Sequence, residues 1–239
     1  MLFRSPLYSN TTGAANSAFG RSSLLSNTTG SYNTAIGRDA LQANTTASNN
    51  TAVGYQAAYS NTTGSGILAI GYQAGYSNTI GNGNTAIGNG NAYTGAALYS
   101  NVSGNNNVAV GSGSLYTTTA SNNTGIGYEA LKLTSSGGSN VALGTQALYS
   151  NTTASNNTAV GYQAGYSNTT GQENTVFGQG ALYTNTTANN NSAFGSNTLR
   201  LNTGANNSAF GYNAMYNNST GADRKSTRLN SSHTDISRM

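Results

Sequence analysis

The chain has 239 residues with a formal net charge of +4, yet only 6% of them are charged, and it contains one histidine and no cysteine. An ordinary globular domain carries about a quarter charged residues, so a conventional enzyme-like domain is a poor fit. Disorder fits no better, because it combines low hydrophobicity with high net charge. With no cysteine there is no disulfide framework, thiolate metal site or cysteine nucleophile, and the redox compartment is not legible.

The first fifteen residues read as a truncated partial repeat. Leu7-Tyr8-Ser9-Asn10-Thr11-Thr12-Gly13 is the second half of a unit whose first half is missing, and Met1 to Pro6 is not a secretory signal. No apolar run approaches the length of a membrane span. From Asn16 the unit recurs cleanly, as in Asn157-Thr158-Ala159-Val160-Gly161-Tyr162-Gln163-Ala164-Gly165-Tyr166-Ser167-Asn168-Thr169-Thr170-Gly171. Its marker glycine falls at Gly20, Gly37, Gly54, Gly71, Gly88, Gly111, Gly127, Gly144, Gly161, Gly178, Gly195 and Gly211, a period of about 17 residues with one longer step. A fixed period means one structural unit stacked on itself, so residues 16–222 are read as a single repeat domain.

Aligning the copies gives columns, and each column an expected environment. The residue before the marker glycine is always apolar (Phe19, Ile36, Val53, Ile70, Ile87, through Phe210). Four residues after it stand Leu41, Leu115, Leu148, Leu182 and Met215. These two columns are the expected core. Two small columns, Ala18, Ala35, Ala52 and Ala40, Ala57, Ala74, would let backbones or chains approach closely. The column of Tyr59, Tyr76, Tyr99, Tyr116, Tyr149, Tyr166 and Tyr183 also accepts Gln42, Lys132 and Arg200, which marks it as solvent-facing. The Gln56, Gln73, Gln146, Gln163 column accepts Asp39 and Glu129 and is assigned to solvent on the same ground.

An asparagine precedes nearly every strand (Asn16, Asn33, Asn50, through Asn207, with Ile67 the exception). Stacked asparagines in parallel coils hydrogen-bond amide to amide. Segments such as Ser60-Asn61-Thr62-Thr63-Gly64 supply turn chemistry. Frequent glycine and β-branched residues exclude helix. Antiparallel hairpins remain an alternative, with Asn82-Gly83 and Asn89-Gly90 as hairpin-like dipeptides. Identical residues at identical phase favour an all-β fold, a parallel β-solenoid or β-roll of about twelve 17-residue coils.

Two segments break the pattern. Residues 89–94 are an insertion expected to bulge as a loop from one face. Residues 223–239 lose the repeat and turn charged. Asp223 to His233 matches the in-frame translation of a common short-read sequencing-library adapter, so the tail is read as a non-native, disordered addition. Within the repeat region five cations (Arg4, Arg21, Arg38, Lys132, Arg200) face three anions (Asp39, Glu129, Glu173), leaving about +2. The tail adds the other +2. A basic nucleic-acid interface thereby loses its support.

Catalytic chemistry is scarce. The one histidine, His233, lies in the tail, and the carboxylates Asp39, Glu129 and Glu173 stand in separate coils with no base beside any serine or threonine. The expectation is a non-enzyme with no cofactor. Three features of the sequence bear on binding. The tyrosine columns offer rings with an apolar face and a polar tip, for a host-surface glycan or an extracellular matrix protein, though stacked tyrosines also simply shield the strands beneath. Paired threonines for ice binding would have to alternate along a strand, whereas Thr62 and Thr63 are adjacent. Asn-x-Thr sequons such as Asn61-Thr62-Thr63 matter only in a glycosylating pathway.

Asn84-Thr85-Ala86-Ile87-Gly88, Asn107-Val108-Ala109-Val110-Gly111 and Asn140-Val141-Ala142-Leu143-Gly144 resemble the head repeats of trimeric autotransporter adhesins of the YadA type. Similar Asn/Thr-rich repeats occur in phage tail fibres. The resemblance implies a left-handed β-roll, a homotrimer, and an extracellular place on a cell surface or virion. The expected function is attachment. A passive spacer, or an ice-binding solenoid, is the alternative. The entropy of ordering a coil also asks for association: about 1–2 kcal/mol per residue over about 17 residues, against about 1.5–3 kcal/mol for each buried apolar side chain.

Overall fold

The computed structural model describes residues 5–90, 95–218 and 225–227. Thirteen three-residue strands lie in chain order in one sheet, from β1 (Ser17–Phe19) through β5 (Thr85–Ile87), β6 (Val108–Val110) and β12 (Ser208–Phe210) to β13 (Lys225–Thr227). Every adjacent pair is parallel, and the repeat columns coincide with the register: Thr51 meets Leu68, Ala52 meets Ala69 and Val53 meets Ile70. The architecture is a parallel β-solenoid, and no helix occurs among the described residues. Outside the strands the bonding is also coil to coil, as in Leu41 N–H to Ala57 O at 3.0 Å and Gly54 N–H to Ile36 O at 2.8 Å.

The core differs from the expected one in a single column. Leu41, Leu115, Leu148 and Leu182 are buried as anticipated, but the residue before the marker glycine points outward: Phe19 is 78% exposed, Ile36 44% and Phe210 42%. The inward position of each strand is the alanine between them, and Ala35, Ala52 and Ala159 are fully buried. Side chains alternate across a strand, so a three-residue strand sends one side chain in and two out. The Val53, Ile70, Ile87 column is continuous, as expected, but external. Since the alanines line the interior, they are not a surface through which chains approach.

The interior is too thin for more than alanine there because the leucine fills the other side. Ideal Cβ atoms built at Gly75, in the leucine column, fall 3.8 Å from Ala69 Cβ and Ala86 Cβ, so this column packs on the strand alanines. Two coils depart from the pattern. At Gly165, where leucine is missing, Leu148 of the coil before reaches into the space, its Cδ2 3.0 Å from where a Cβ would stand. Val176 and Ile67 are buried where most coils have alanine and asparagine. Conversely, Gly125 replaces alanine where Ser114 reaches across to donate to its carbonyl at 2.7 Å.

Two buried asparagine ladders run beside this apolar strip. In the expected one, Asn33, Asn50, Asn140 and Asn157 are fully buried, and each Oδ1 accepts from the backbone of the next, as in Asn157 N–H to Asn140 Oδ1 at 3.0 Å. The second lies in the Ser-Asn-Thr-Thr-Gly-like segments, whose composition is that of a turn. Asn27, Asn44, Asn61 and Asn78 are instead buried, and link amide to amide at 2.8 to 3.0 Å. The ladders share acceptors: Gly64 O receives Nδ2 of both Asn50 and Asn61. A buried amide left without partners costs about 1–3 kcal/mol, and here its own coil and the neighbouring coil together satisfy it.

The insertion leaves the sheet undisturbed. Asn89 and Gly90 still bond downward to Tyr72, Gly95 accepts upward from Gly113, and β5 pairs β6 in register. Residues 91–94 lie outside the described ones. In the tail, expected to be disordered, Lys225–Thr227 pair with β12. An edge strand offers a row of unpaired backbone groups to any chain tethered beside it, which accounts for capture of three residues with no repeat character. The rest of the tail lies outside the described residues.

The marker glycines combine a positive φ with close approach: Gly144 has φ 136°, and a Cβ there would stand 2.5 Å from Gly161 O. Gly144→Ala is expected to cost at least about 1–3 kcal/mol from backbone strain alone, read as a lowered denaturation midpoint. Val176→Ala is expected to cost about 1–3 kcal/mol by removing buried apolar volume. A midpoint equal to that of the parent protein would refute tight packing of the interior at this rung.

Candidate functional site

The seven tyrosines singled out from sequence do form one outward face, in two runs. Tyr59, Tyr76, Tyr99 and Tyr116 stack with centroids 5.1 to 5.3 Å apart, and Tyr149, Tyr166 and Tyr183 stack at 5.1 Å. The spacing follows from the rung separation of a parallel sheet, about 4.8 Å. Lys132 and Arg200 occupy the next rungs of the column. Lys132 Nζ lies 5.8 Å from the Tyr149 ring centroid and Arg200 Cζ 4.6 Å from that of Tyr183, so cations cover these run ends. All seven rings are half-buried. Inside each run both ring faces are spent on neighbouring rings, so the runs present edges and hydroxyls.

Ring faces are found one column away, on the residue following the marker glycine. Tyr72, Tyr128, Tyr162 and Tyr212 are 44%, 43%, 50% and 67% exposed. Tyr72 stacks on Tyr55 at 5.3 Å, and Arg38 lies over Tyr55 at 5.6 Å. This column differs from the stacked one in composition, with Arg21, Arg38, Tyr55, Tyr72, Asn89, Ser112, Tyr128, Thr145 and Tyr162 in turn.

Between the two tyrosine columns lies the glutamine column, expected to face solvent. It is an amide ladder: Gln73 donates to Gln56, Gln163 to Gln146 and Gln146 to Glu129 Oε2, each at 2.9 Å. Its acids are buried, with Asp39 8% and Glu129 6% exposed. They are tolerated because each is paired, Asp39 with Arg38 at 3.1 Å and Glu129 with Lys132 at 2.5 Å. A laddered column accepts a carboxylate where it accepts an amide, since the oxygen facing the next coil is the same.

The threonines divide likewise. Thr62 Oγ1 donates to Thr79 O at 2.9 Å while Thr63 is exposed, so adjacent threonines point apart and no ice-matching pair forms there. The sequon asparagines Asn27, Asn44, Asn61, Asn151, Asn168 and Asn185 are buried in the ladder, where an acceptor amide is out of reach of a transferase once the chain is folded. Among the described residues no three His, Asp or Glu side chains gather as a metal site.

Burial alone would raise the Glu129 carboxyl, but the hydrogen bonds of Lys132 and Gln146, the Lys132 charge and the nearby Tyr128 hydroxyl together hold it below its ordinary 4.5. Burial would lower Lys132, and its bond and charge interaction with Glu129 outweigh this and raise it above 10.5. Burial, then the neighbouring phenols, raises Tyr76 and Tyr166 above 10.0. A lowered folded pKa contributes stability that is complete above 4.5 and lost as pH falls through the folded value. Raised ones contribute stability complete below about 10 and lost as pH rises through theirs. Thermal melts should therefore show a plateau from about pH 5 to 10 with losses on both sides. Glu129→Gln should shrink the drop between pH 7 and pH 3; an unchanged drop would place the acid sensitivity elsewhere.

Comparison of this chain with protein-family models, with curated proteins and with solved structures yields no match.

Proposed function

We propose that this chain is a shaft segment of an extracellular attachment fibre, assembled from identical chains, with its tyrosine columns turned to the target surface. The observation that carries the assembly is the outer face of the strands. It has two columns, one of Thr, Ser, Val and Leu (Thr34, Thr51, Leu68, Thr85, Val108) and one of Ile, Val, Leu and Phe. From β1 to β12 neither contains a charge, although charges enter the columns around them at Arg21, Arg38, Asp39, Glu129, Lys132 and Arg200. A solvated face with no function of its own would accept a lysine or glutamate as readily as those columns do.

The occupant of that face is a second and a third copy of the chain. Eleven rung spacings of about 4.8 Å make a strip about 53 Å long and about 10 Å wide. That is roughly 500 Å², less than the roughly 800 Å² each partner gives to a stable pairwise interface. Around a three-fold axis each chain meets two neighbours, and the flanking columns join the contact. The homotrimer that the repeat motifs imply thus acquires a face, and it is not the alanine face. Attachment by such a fibre draws on many weak repeated contacts. Its target is a host-surface glycan or matrix protein, and the setting is a cell surface or virion. The reading needs no cofactor, and a structural rather than enzymatic role is part of the proposal.

Light scattering is expected to give three times the monomer mass. Ile70→Asp combined with Val110→Asp, both outward-facing, should shift the mass toward the monomer and leave the β-sheet circular dichroism in place. A folded monomer of the parent protein at micromolar concentration would defeat the assembly. Failure of the folded trimer to bind any glycan or matrix protein would leave the passive spacer.

A further inference from the structure

The column that follows the marker glycine contains one place where two tyrosines are separated by a single rung. Tyr128 and Tyr162 flank Thr145. The three residues are in vertical register, with Gln146 N–H donating to Tyr128 O at 2.8 Å and Gln163 N–H to Thr145 O at 3.0 Å. Two rungs put the tyrosines about 9.6 Å apart, close to twice the 5.1 Å ring spacing of the stacked runs. A gap of this kind is one ring thick. In the neighbouring column the corresponding gaps carry Lys132 and Arg200, whose cations lie over Tyr149 and Tyr183. Threonine is too short to cover the rings on either side of it, and Tyr128 and Tyr162 stay 43% and 50% exposed.

We infer that Tyr128 and Tyr162 are the walls of a slot that takes one neutral pyranose ring of a glycan, with Thr145 as its floor. A ring packed on an aromatic face sits about 4.5 Å or more from it, so a sugar between two tyrosines needs at least about 9 Å, and the slot supplies it. The rim selects a sugar over an aromatic side chain. Thr145 stands in register between the two tyrosines and the Gln146–Gln163 amide pair runs one residue further along the same coils, so hydrogen-bonding groups flank the gap, matching a ligand with a hydroxyl on nearly every carbon. It selects a neutral sugar because the one cation beside it, Lys132, is already paired with Glu129. The slot deepens the attachment reading and rests on it, moving the sugar contact from the stacked runs, whose faces are covered, to a gap whose faces are open.

The test is a filled slot. Thr145→Tyr completes a three-ring stack of the kind already present at Tyr59, Tyr76 and Tyr99, so the fold should hold, and unchanged circular dichroism and melting verify it. The full chain and its variants are screened on an array of neutral oligosaccharides. The best-bound sugar is then titrated as its methyl pyranoside by saturation-transfer NMR. Thr145→Tyr should weaken binding at least tenfold, Tyr162→Thr should weaken it similarly, and Thr63→Ser, exposed and away from both tyrosine columns, should leave it unchanged. Array binding that survives in Thr145→Tyr overturns the slot and leaves the attachment reading standing. An absence of array binding by the parent protein overturns the slot and, with matrix proteins also unbound, the attachment reading; the oligomer measurement is independent of both. Preferential binding of N-acetyltyrosinamide over every pyranoside overturns the sugar assignment in favour of an aromatic peptide contact.

Discussion

The whole structure depends on buried amides that bond both within their own coil and to the equivalent amide one coil away. A coil of about 17 residues has an interior one alanine and one leucine wide, too narrow to bring two different elements together as a globular core does. Half of that interior is polar, made of two asparagine columns whose oxygens and nitrogens meet their equivalents one coil away. Substituting one asparagine orphans groups in two coils, so each column tolerates only residues that solve the same problem. The three exceptions show the limits. Ile67 keeps its backbone bond to Asn50 Oδ1 at 2.9 Å and is itself buried. Thr118 and Thr134 interrupt the second ladder, and the Thr134 hydroxyl is buried with no partner.

Strain enters as a second constraint. Leu41, Leu115 and Leu148 hold φ near 49°, a conformation that leucine rarely adopts. Single left-handed residues cost about 1–2 kcal/mol, and the same column accepts Gly75 and Gly165, which adopt it freely. Leucine persists in most coils because the space against the strand alanine must be occupied. Burial of a large side chain outweighs a local backbone penalty of that size.

Much of this was legible in the sequence, because the fold repeats what the sequence repeats. The period, the parallel stacking, the first asparagine ladder and the outward tyrosine face all follow from like residues recurring at like phase. What was misread shares one cause. Periodicity says which residues share a column, and it does not say which way the column points. Hydrophobicity suggested that Ile36 and Ile70 face inward and Gln56 and Asp39 outward. A three-residue strand has a single inward position, and in so thin a coil only the smallest side chain fits it. The glutamines and their acid substitutes are drawn into the surface by their own hydrogen bonds. The second asparagine ladder was hidden inside a segment whose composition reads as a turn. Likewise, that stacked rings cover one another's faces is a property of the rung spacing, visible only once the rungs are in place.

The ladders also have an arrow. In the second ladder each Nδ2 donates to the asparagine of the amino-terminal coil, in the first each backbone N–H does, and the oxygens serve the coil that follows. At the last asparagine of the first ladder, Asn207 Oδ1 is buried with no partner among the described residues. Within each ladder the asparagine-to-asparagine bonds thus run one way along the stack, so its two directions are chemically unlike. Any further length of this shaft, in the same chain or another, docks in one orientation only. A fibre built this way is polar from end to end, as a filament with distinguishable tips is.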